Sequence, residues 1–105
     1  MKETGRNGFQ SRVIKRINKE FPDCEVHKLN PTDTQGIPDL LILCPIKWGT
    51  LETKKSEKAH KQPNQEYYVN KHNNMAFSKF IFPSNEEEVF AELHSYMDSE
   101  EKENK

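Results

Sequence analysis

Asp39 opens the apolar run "DLLILC", and Glu52, Thr53 and Lys54 interrupt the next extended stretch, "WGTLETK". Carboxylates and an ammonium planted where a sheet should be most apolar need a reason, because unpaired charge is expensive to bury. Side chains alternate along a strand, so Glu52 and Lys54 share one face and Thr53 takes the other. If the chain turns near Ile46, Asp39 comes opposite the Glu52 and Thr53 region, and the polar groups converge on one small site. Two carboxylates so placed repel each other unless a cation sits between them. Mg²⁺ resolves the conflict, since it prefers oxygen ligands, keeps several waters and is commonly held by one or two carboxylates plus a phosphate oxygen. Asp39, Glu52 and the backbone carbonyl of Thr53 are the candidate protein ligands. Lys54 beside them suits orientation of an attacking water or stabilisation of negative charge on phosphorus. The set points to metal-assisted phosphodiester hydrolysis, with Mg²⁺ or Mn²⁺ as cofactor.

Periodicity supplies the elements that must position these groups. The stretch "NGFQSRVIKRINKEF" puts Phe9, Val13, Ile14, Ile17 and Phe21 on one helical face. Arg12, Lys15, Arg16 and Lys19 form a basic stripe on its other side, open to two readings: a solvated face, or a surface that tracks phosphates. Pro22 and Asp23 stop this helix, "CEVHKLN" alternates weakly as a first strand, and the turn-rich "NPTDTQGIP" leads to Asp39. "DLLILC", apolar after its Asp, has the pattern of a strand covered on both faces, and with "WGTLETK" it predicts a hairpin at the centre of the sheet. The polar, basic loop "KSEKAHKQ" precedes a helix opening at Pro63, with Tyr67, Tyr68 and Met75 for packing and Asn73 and Asn74 near its end. "AFSKFIF" is the last strand. Ser84 and Glu87 have capping-box spacing at the start of a final helix whose Val89, Phe90, Leu93 and Met97 face inward. The order helix, strand, strand, strand, helix, strand, helix predicts an α/β fold of three layers around a central mixed sheet.

A chain of 105 residues has room for one domain and one modest core. The hydrophobic share of 32% and the charged share of 31% are lean for a globular chain, as is the mean hydropathy of -1.02. Residues 1–97 are expected to form the single domain and 98–105, "DSEEKENK", a disordered acidic tail. No apolar stretch approaches a membrane span and the first residues lack the apolar region of a signal peptide, which predicts an intracellular, cytoplasmic protein. Cys24 and Cys44 lack CxxC spacing, so neither a disulfide nor a zinc site is expected. The four histidines show no ligand spacing either. The net charge of -1 conceals an asymmetry: residues 1–62 carry 12 Lys+Arg and 8 Asp+Glu, net +4, whereas residues 63–105 carry 4 and 9, net -5. A basic working surface with an acidic solvated end gives such a split, and so does chance in a small protein.

"GIPDLLIL" followed by "LETK" resembles the PD-(D/E)XK nucleases, and the layout from about Gly8 to Leu93 is similar to their compact VRR-NUC and Holliday-junction-resolvase branches. The resemblance implies a restriction-endonuclease-like fold in which Asp39 and Glu52 are the metal-binding acids and Lys54 the catalytic lysine. Gln65 matches a glutamine at the start of the helix after the motif, near the lysine and the scissile phosphate. It further implies a Mg²⁺- or Mn²⁺-dependent DNA endonuclease acting on branched DNA as a homodimer, of a size that suits phage recombination. One position departs from the pattern: Gln10 stands where similar proteins often carry a metal-binding glutamate. An amide is a weaker ligand than a carboxylate, so one metal site is better supported than two. Gln10 then has two readings, a contributor to the metal site or the third helical residue of a capping arrangement begun by Asn7. Lys55, Lys58, His60 and Lys61 follow the site and, with Arg12, Lys15 and Arg16, are the candidate DNA contacts; a flexible solvated loop is the alternative. Lys28 and Asn30 fit strand-edge polarity better than DNA contact. Trp48 suits the core or a dimer contact. Two further functions compete with the nuclease: a nucleic-acid-binding module of the same fold without activity, and a scaffold whose acidic C-terminal part binds a partner.

Overall fold

The computed structural model describes residues 5–30, 32 and 34–99, with side chains from Gly8 onward. Helix α1 spans Gly5–Glu20 and buries Phe9, Val13 and Ile17, with Phe21 just past its end. Strands β1 (Glu25–Lys28), β2 (Leu40–Leu43) and β3 (Trp48–Thr53) follow, then helix α2 (Pro63–Met75), strand β4 (Ser78–Ile81), a 3-10 turn at Pro83–Asn85 and helix α3 (Glu86–Asp98). The order is the expected one with the 3-10 turn added. The sheet runs β1-β2-β3-β4, antiparallel in its first two pairings and parallel between β3 and β4. A parallel pair needs a crossover, and α2 supplies it.

Alternation along β3 assigns the layers. Leu51 belongs to the core with Phe9, Val13 and Ile17 of α1 and Val89, Phe90 and Leu93 of α3. Thr50 and Glu52 point the other way, where they hydrogen-bond His72 and Gln65 of α2. Helices α1 and α3 therefore cover one face and α2 the other. The second cover is incomplete, against the expectation of a β2 enclosed on both faces: Leu40 and Ile42 are buried, but Leu41 is half-buried and Leu43 is 41% exposed. The reason is that α2 packs on β3 and β4 and leaves β1 and β2 open on that side.

Two further expectations are corrected. Cys24 and Cys44 form a disulfide. Glu25 pairs with Leu43, so the cysteines are the next facing pair of the same ladder, with Cα atoms 4.2 Å apart. Spacing along the chain carries no trace of this, because the register of two strands creates the proximity. The expected cap of Ser84 with Glu87 does not form: Pro83 starts a 3-10 turn, Ser84 donates to Glu57 at 3.3 Å, and α3 begins only at Glu86. Asn85 ties that turn down, accepting from the Phe82 amide at 2.8 Å and donating to the Phe80 carbonyl at 3.1 Å.

The basic stripe of α1 meets the acidic start of α3. Buried Glu86 accepts from Arg12 at 2.5 Å and from Arg16 at 2.8 Å, and Arg16 also binds Glu20 and Glu87. Its guanidinium lies over the Phe90 ring, 4.0 Å from the centroid. Hydrogen bonding to Glu87, with help from Glu20 and Glu86, outweighs burial and raises the Arg16 pKa above its ordinary value. Burial pushes Glu20 upward, but hydrogen bonds from His94 and Arg16 prevail and hold it below the usual carboxylate range. Part of the charge asymmetry between the two halves of the chain is thus internal pairing. At the other end of α3, the Lys47 ammonium reaches the carbonyls of Tyr96 and Ser99. The expected tail splits accordingly: Asp98 is helical, and residues 100–105 lie outside the described residues. Among the described residues no helix is long and apolar enough to cross a membrane.

Two measurements test this frame. Reducing the disulfide, or replacing both cysteines by serine, is expected to lower stability by up to about 3 kcal/mol through the chain entropy of the released loop, read as a lower urea midpoint. An unchanged midpoint would show that β1 gains nothing from the crosslink. His72, hydrogen-bonded to Thr50 at 3.1 Å and edge-on to Trp48, is held below the ordinary imidazole value by burial and by Lys71. The unfolded chain then takes up this proton more readily, so the stabilisation is complete above the unfolded value of about 6.5 and is lost as the pH falls from there through the lower folded value. His72→Gln is expected to flatten that limb of the stability profile.

Candidate active site

The β2–β3 register pairs Leu40 with Leu51, which sets Asp39 opposite Glu52 one step beyond the last paired residues. Asp39 sits at the bend before β2. Its amide donates to Glu52 Oε1 at 3.1 Å, and its carboxylate Oδ2 accepts from the Thr53 amide at 3.0 Å and the Thr53 hydroxyl at 2.6 Å. The site therefore straddles the end of the sheet: Glu52 and Lys54 face α2, and Thr53 faces α1. All three are buried, with Glu52 only 1% exposed.

Gln65, in the first turn of α2, ties the α2 side together. Its Nε2 donates to Glu52 Oε2 at 2.9 Å, and its Oε1 accepts from Lys54 Nζ at 2.8 Å and from the Gln62 amide at 3.0 Å. Lys54 also donates to the His60 carbonyl at 3.1 Å and stands 3.8 Å from Glu52. From the α1 side, buried Gln10 donates through Nε2 to the Thr53 hydroxyl at 3.1 Å. The capping reading of Gln10 is corrected: α1 begins at Gly5, so Asn7 lies inside the helix and Gln10 turns inward to β3.

Of these groups Gln10, Asp39, Glu52 and Gln65 line a cleft of about 190 Å³, together with Lys28 and Gly36. Gly36 brings the loop before Asp39 onto the first turn of α2. Its φ is +89°, and a Cβ there would lie 2.3 Å from Asn64 Cβ and 2.8 Å from the Asn64 carbonyl carbon. Only glycine tolerates both the backbone conformation and the contact.

The candidate DNA contacts divide into two groups. Lys55, Lys58 and His60 are exposed on the loop after β3, and the His60 carbonyl joins that loop to Lys54. Lys61 is half-buried over Phe80, and Lys15 is exposed on α1. Arg12 and Arg16 instead make the ion pairs with α3. Among the described residues no three His, Cys, Asp or Glu gather into a cluster that could hold a metal unaided. The oxygen donors brought together at this cleft are the carboxylates of Asp39 and Glu52, a pair suited to an ion that keeps waters and a substrate oxygen.

Two features escape a reading by motif. Lys28, placed there with strand-edge polarity, lines the cleft, because the pairing of Lys28 with Leu40 carries it to the strand end where Asp39 begins. The Thr53 side chain bonds both Asp39 and Gln10, whereas its place between Glu52 and Lys54 draws attention only to its backbone.

No family model matches the chain, and no curated protein matches it by sequence. Among solved structures it is similar to one described as a "VRR_NUC domain protein", with a TM-score of 0.66 over 92% of this chain and 91% of that one, at 15% identity. The likeness shows the fold, a restriction-endonuclease-like arrangement of three helices about a mixed four-stranded sheet.

Gly36→Ala is expected to cost about 1–3 kcal/mol in denaturant unfolding, from the left-handed backbone and the collision with Asn64. Wild-type stability in this variant would show that the loop does not rest on α2 as described.

Proposed function

We propose, from this VRR-NUC-type fold, that the chain is a divalent-metal-dependent endodeoxyribonuclease acting on branched or structured DNA such as Holliday junctions. The observation that carries the reading is that Asp39 and Glu52 line one cleft and that Gln65, on its wall, bridges Glu52 to Lys54. Asp39, Glu52 and the Thr53 carbonyl are the ligands for Mg²⁺ or Mn²⁺, and their all-oxygen character fits a hard cation. When bound, such an ion supplies Lewis-acid stabilisation of charge on a phosphoryl oxygen. Lys54 holds positive charge beside the acids, and Gln65 fixes its ammonium so that it need not reorganise as charge develops on phosphorus. Lys28 at the cleft wall and the cations Lys15, Lys55, Lys58, His60 and Lys61 supply phosphate contacts, whereas the guanidinium groups of Arg12 and Arg16 are engaged by α3. Homodimerisation, which would present two clefts to a symmetric junction, completes the reading.

A second reading, an inactive nucleic-acid-binding module, draws on Gln10, a neutral amide whose donor end faces Thr53. One experiment separates the two. The chain and its Lys54→Ala variant are incubated with a four-way junction, a nicked duplex and a linear duplex in Mg²⁺, Mn²⁺ or EDTA. Metal-dependent cleavage, fastest on the junction and at least about 10²-fold slower in the variant, is expected. Binding without cleavage would assign the inactive module. Lys28→Ala is expected to weaken junction binding and to reduce the slope of log K against log salt by about 1. An unchanged slope would remove Lys28 from the contact surface.

A further inference from the structure

We infer that Gln10 is a positioning residue: acting through the Thr53 hydroxyl, it fixes the Asp39 carboxylate rather than serving as a metal ligand itself. The inference rests on the metal reading of Asp39 and Glu52. The hydrogen bonds have a direction that only one arrangement of protons satisfies. A hydroxyl has a single proton, and the Thr53 hydroxyl gives it to Asp39 Oδ2 at 2.6 Å. Toward Gln10, Thr53 must then accept, so the amide presents its NH₂ end, 3.1 Å away.

The chain Gln10 to Thr53 to Asp39 runs from α1 through β3 to the bend before β2, and each link is anchored independently. Gln10 follows Phe9, which is 1% exposed in the core, and is itself 8% exposed. Thr53 is fully buried, and its amide donates to the same Oδ2 at 3.0 Å. With two donors on one oxygen, the Asp39 carboxylate is set in orientation before any cation arrives. Groups that orient a ligand in this way typically change metal affinity or activity by about 10–100-fold when removed.

The two roles of Gln10 predict opposite results for Gln10→Glu. If position 10 supplied a ligand, a carboxylate would strengthen cation binding. As a positioning residue, a glutamate there has no proton to give Thr53 and competes with Asp39 for the hydroxyl proton, so binding weakens. The experiment is a Mn²⁺ titration of the full chain without DNA, followed by electron paramagnetic resonance of the free ion and by calorimetry. The variants are Gln10→Met, Gln10→Glu, Thr53→Val, Thr53→Ser and the Gln10→Met, Thr53→Val double mutant. Thr53→Val is expected to raise the Mn²⁺ Kd by about tenfold, with Gln10→Met in the same direction. The double mutant should be no worse than Thr53→Val alone, because both remove one relay, and Thr53→Ser should keep wild-type affinity. Multiplying losses in the double mutant, tighter binding by Gln10→Glu, or loss of affinity in Thr53→Ser would overturn the positioning role while leaving the metal site standing. No Mn²⁺ binding by the wild-type chain would overturn the metal reading itself, and the relay with it.

Discussion

The register of β2 on β3 is the constraint from which the site follows. Side chains alternate at every residue of a strand, so a slip by one position would carry Leu40, Ile42 and Leu51 out of the core and separate Asp39 from Glu52 in the same step. Those three apolar residues are fully buried, and their burial is what makes the slip costly. The polar groups therefore need no strong attraction of their own to find each other. The geometry of the carboxylates is inherited from the packing of aliphatic side chains on the opposite side of the same strands.

A cluster of charge at the end of a buried strand is tolerable only if its polar atoms are satisfied. Glu52 and Lys54 meet this condition through the neutral amide of Gln65, and Thr53 through Asp39 and Gln10. Gln65 lies between Glu52 and Lys54 as a neutral spacer, so the acid and the base stand 3.8 Å apart instead of collapsing into a close ion pair. The contrast with the α1–α3 contact is instructive, since there Arg12 and Arg16 close directly on Glu86 at 2.5 and 2.8 Å. One arrangement ties two helices together; the other keeps charge available at a cleft.

Much of this was legible in the chain. The helical spacing of Phe9, Val13 and Ile17, the apolar run at Leu40 and the helix opening at Pro63 carry the order of elements, and Asp39, Glu52, Lys54 and Gln65 stand out by type and position. What escaped depends on pairing between distant segments. Cys24 and Cys44 become neighbours only through the β1–β2 ladder, and no spacing rule contains that ladder. Arg12 and Arg16 form a stripe that resembles a phosphate-binding face until α3 brings Glu86 beneath it. The capping spacings of Asn7 with Gln10 and of Ser84 with Glu87 were real as patterns and lost to tertiary partners, Thr53 in the first case and Arg16 in the second.

Because the cleft straddles the sheet end, its walls come from segments that are made at different times. Asp39 and Glu52 can meet once the hairpin is synthesised, but Gln65 arrives with α2, and α2 is held in place by β4, which follows it. Synthesis proceeds from the N-terminus, so a nascent or partly folded chain can hold the acids together without the bridge that places the lysine. Completion of the cleft thus waits for the sheet to be completed by β4, and the cleft reports on the joining of α1, the hairpin and α2 in a way that a site carried on a single hairpin would not.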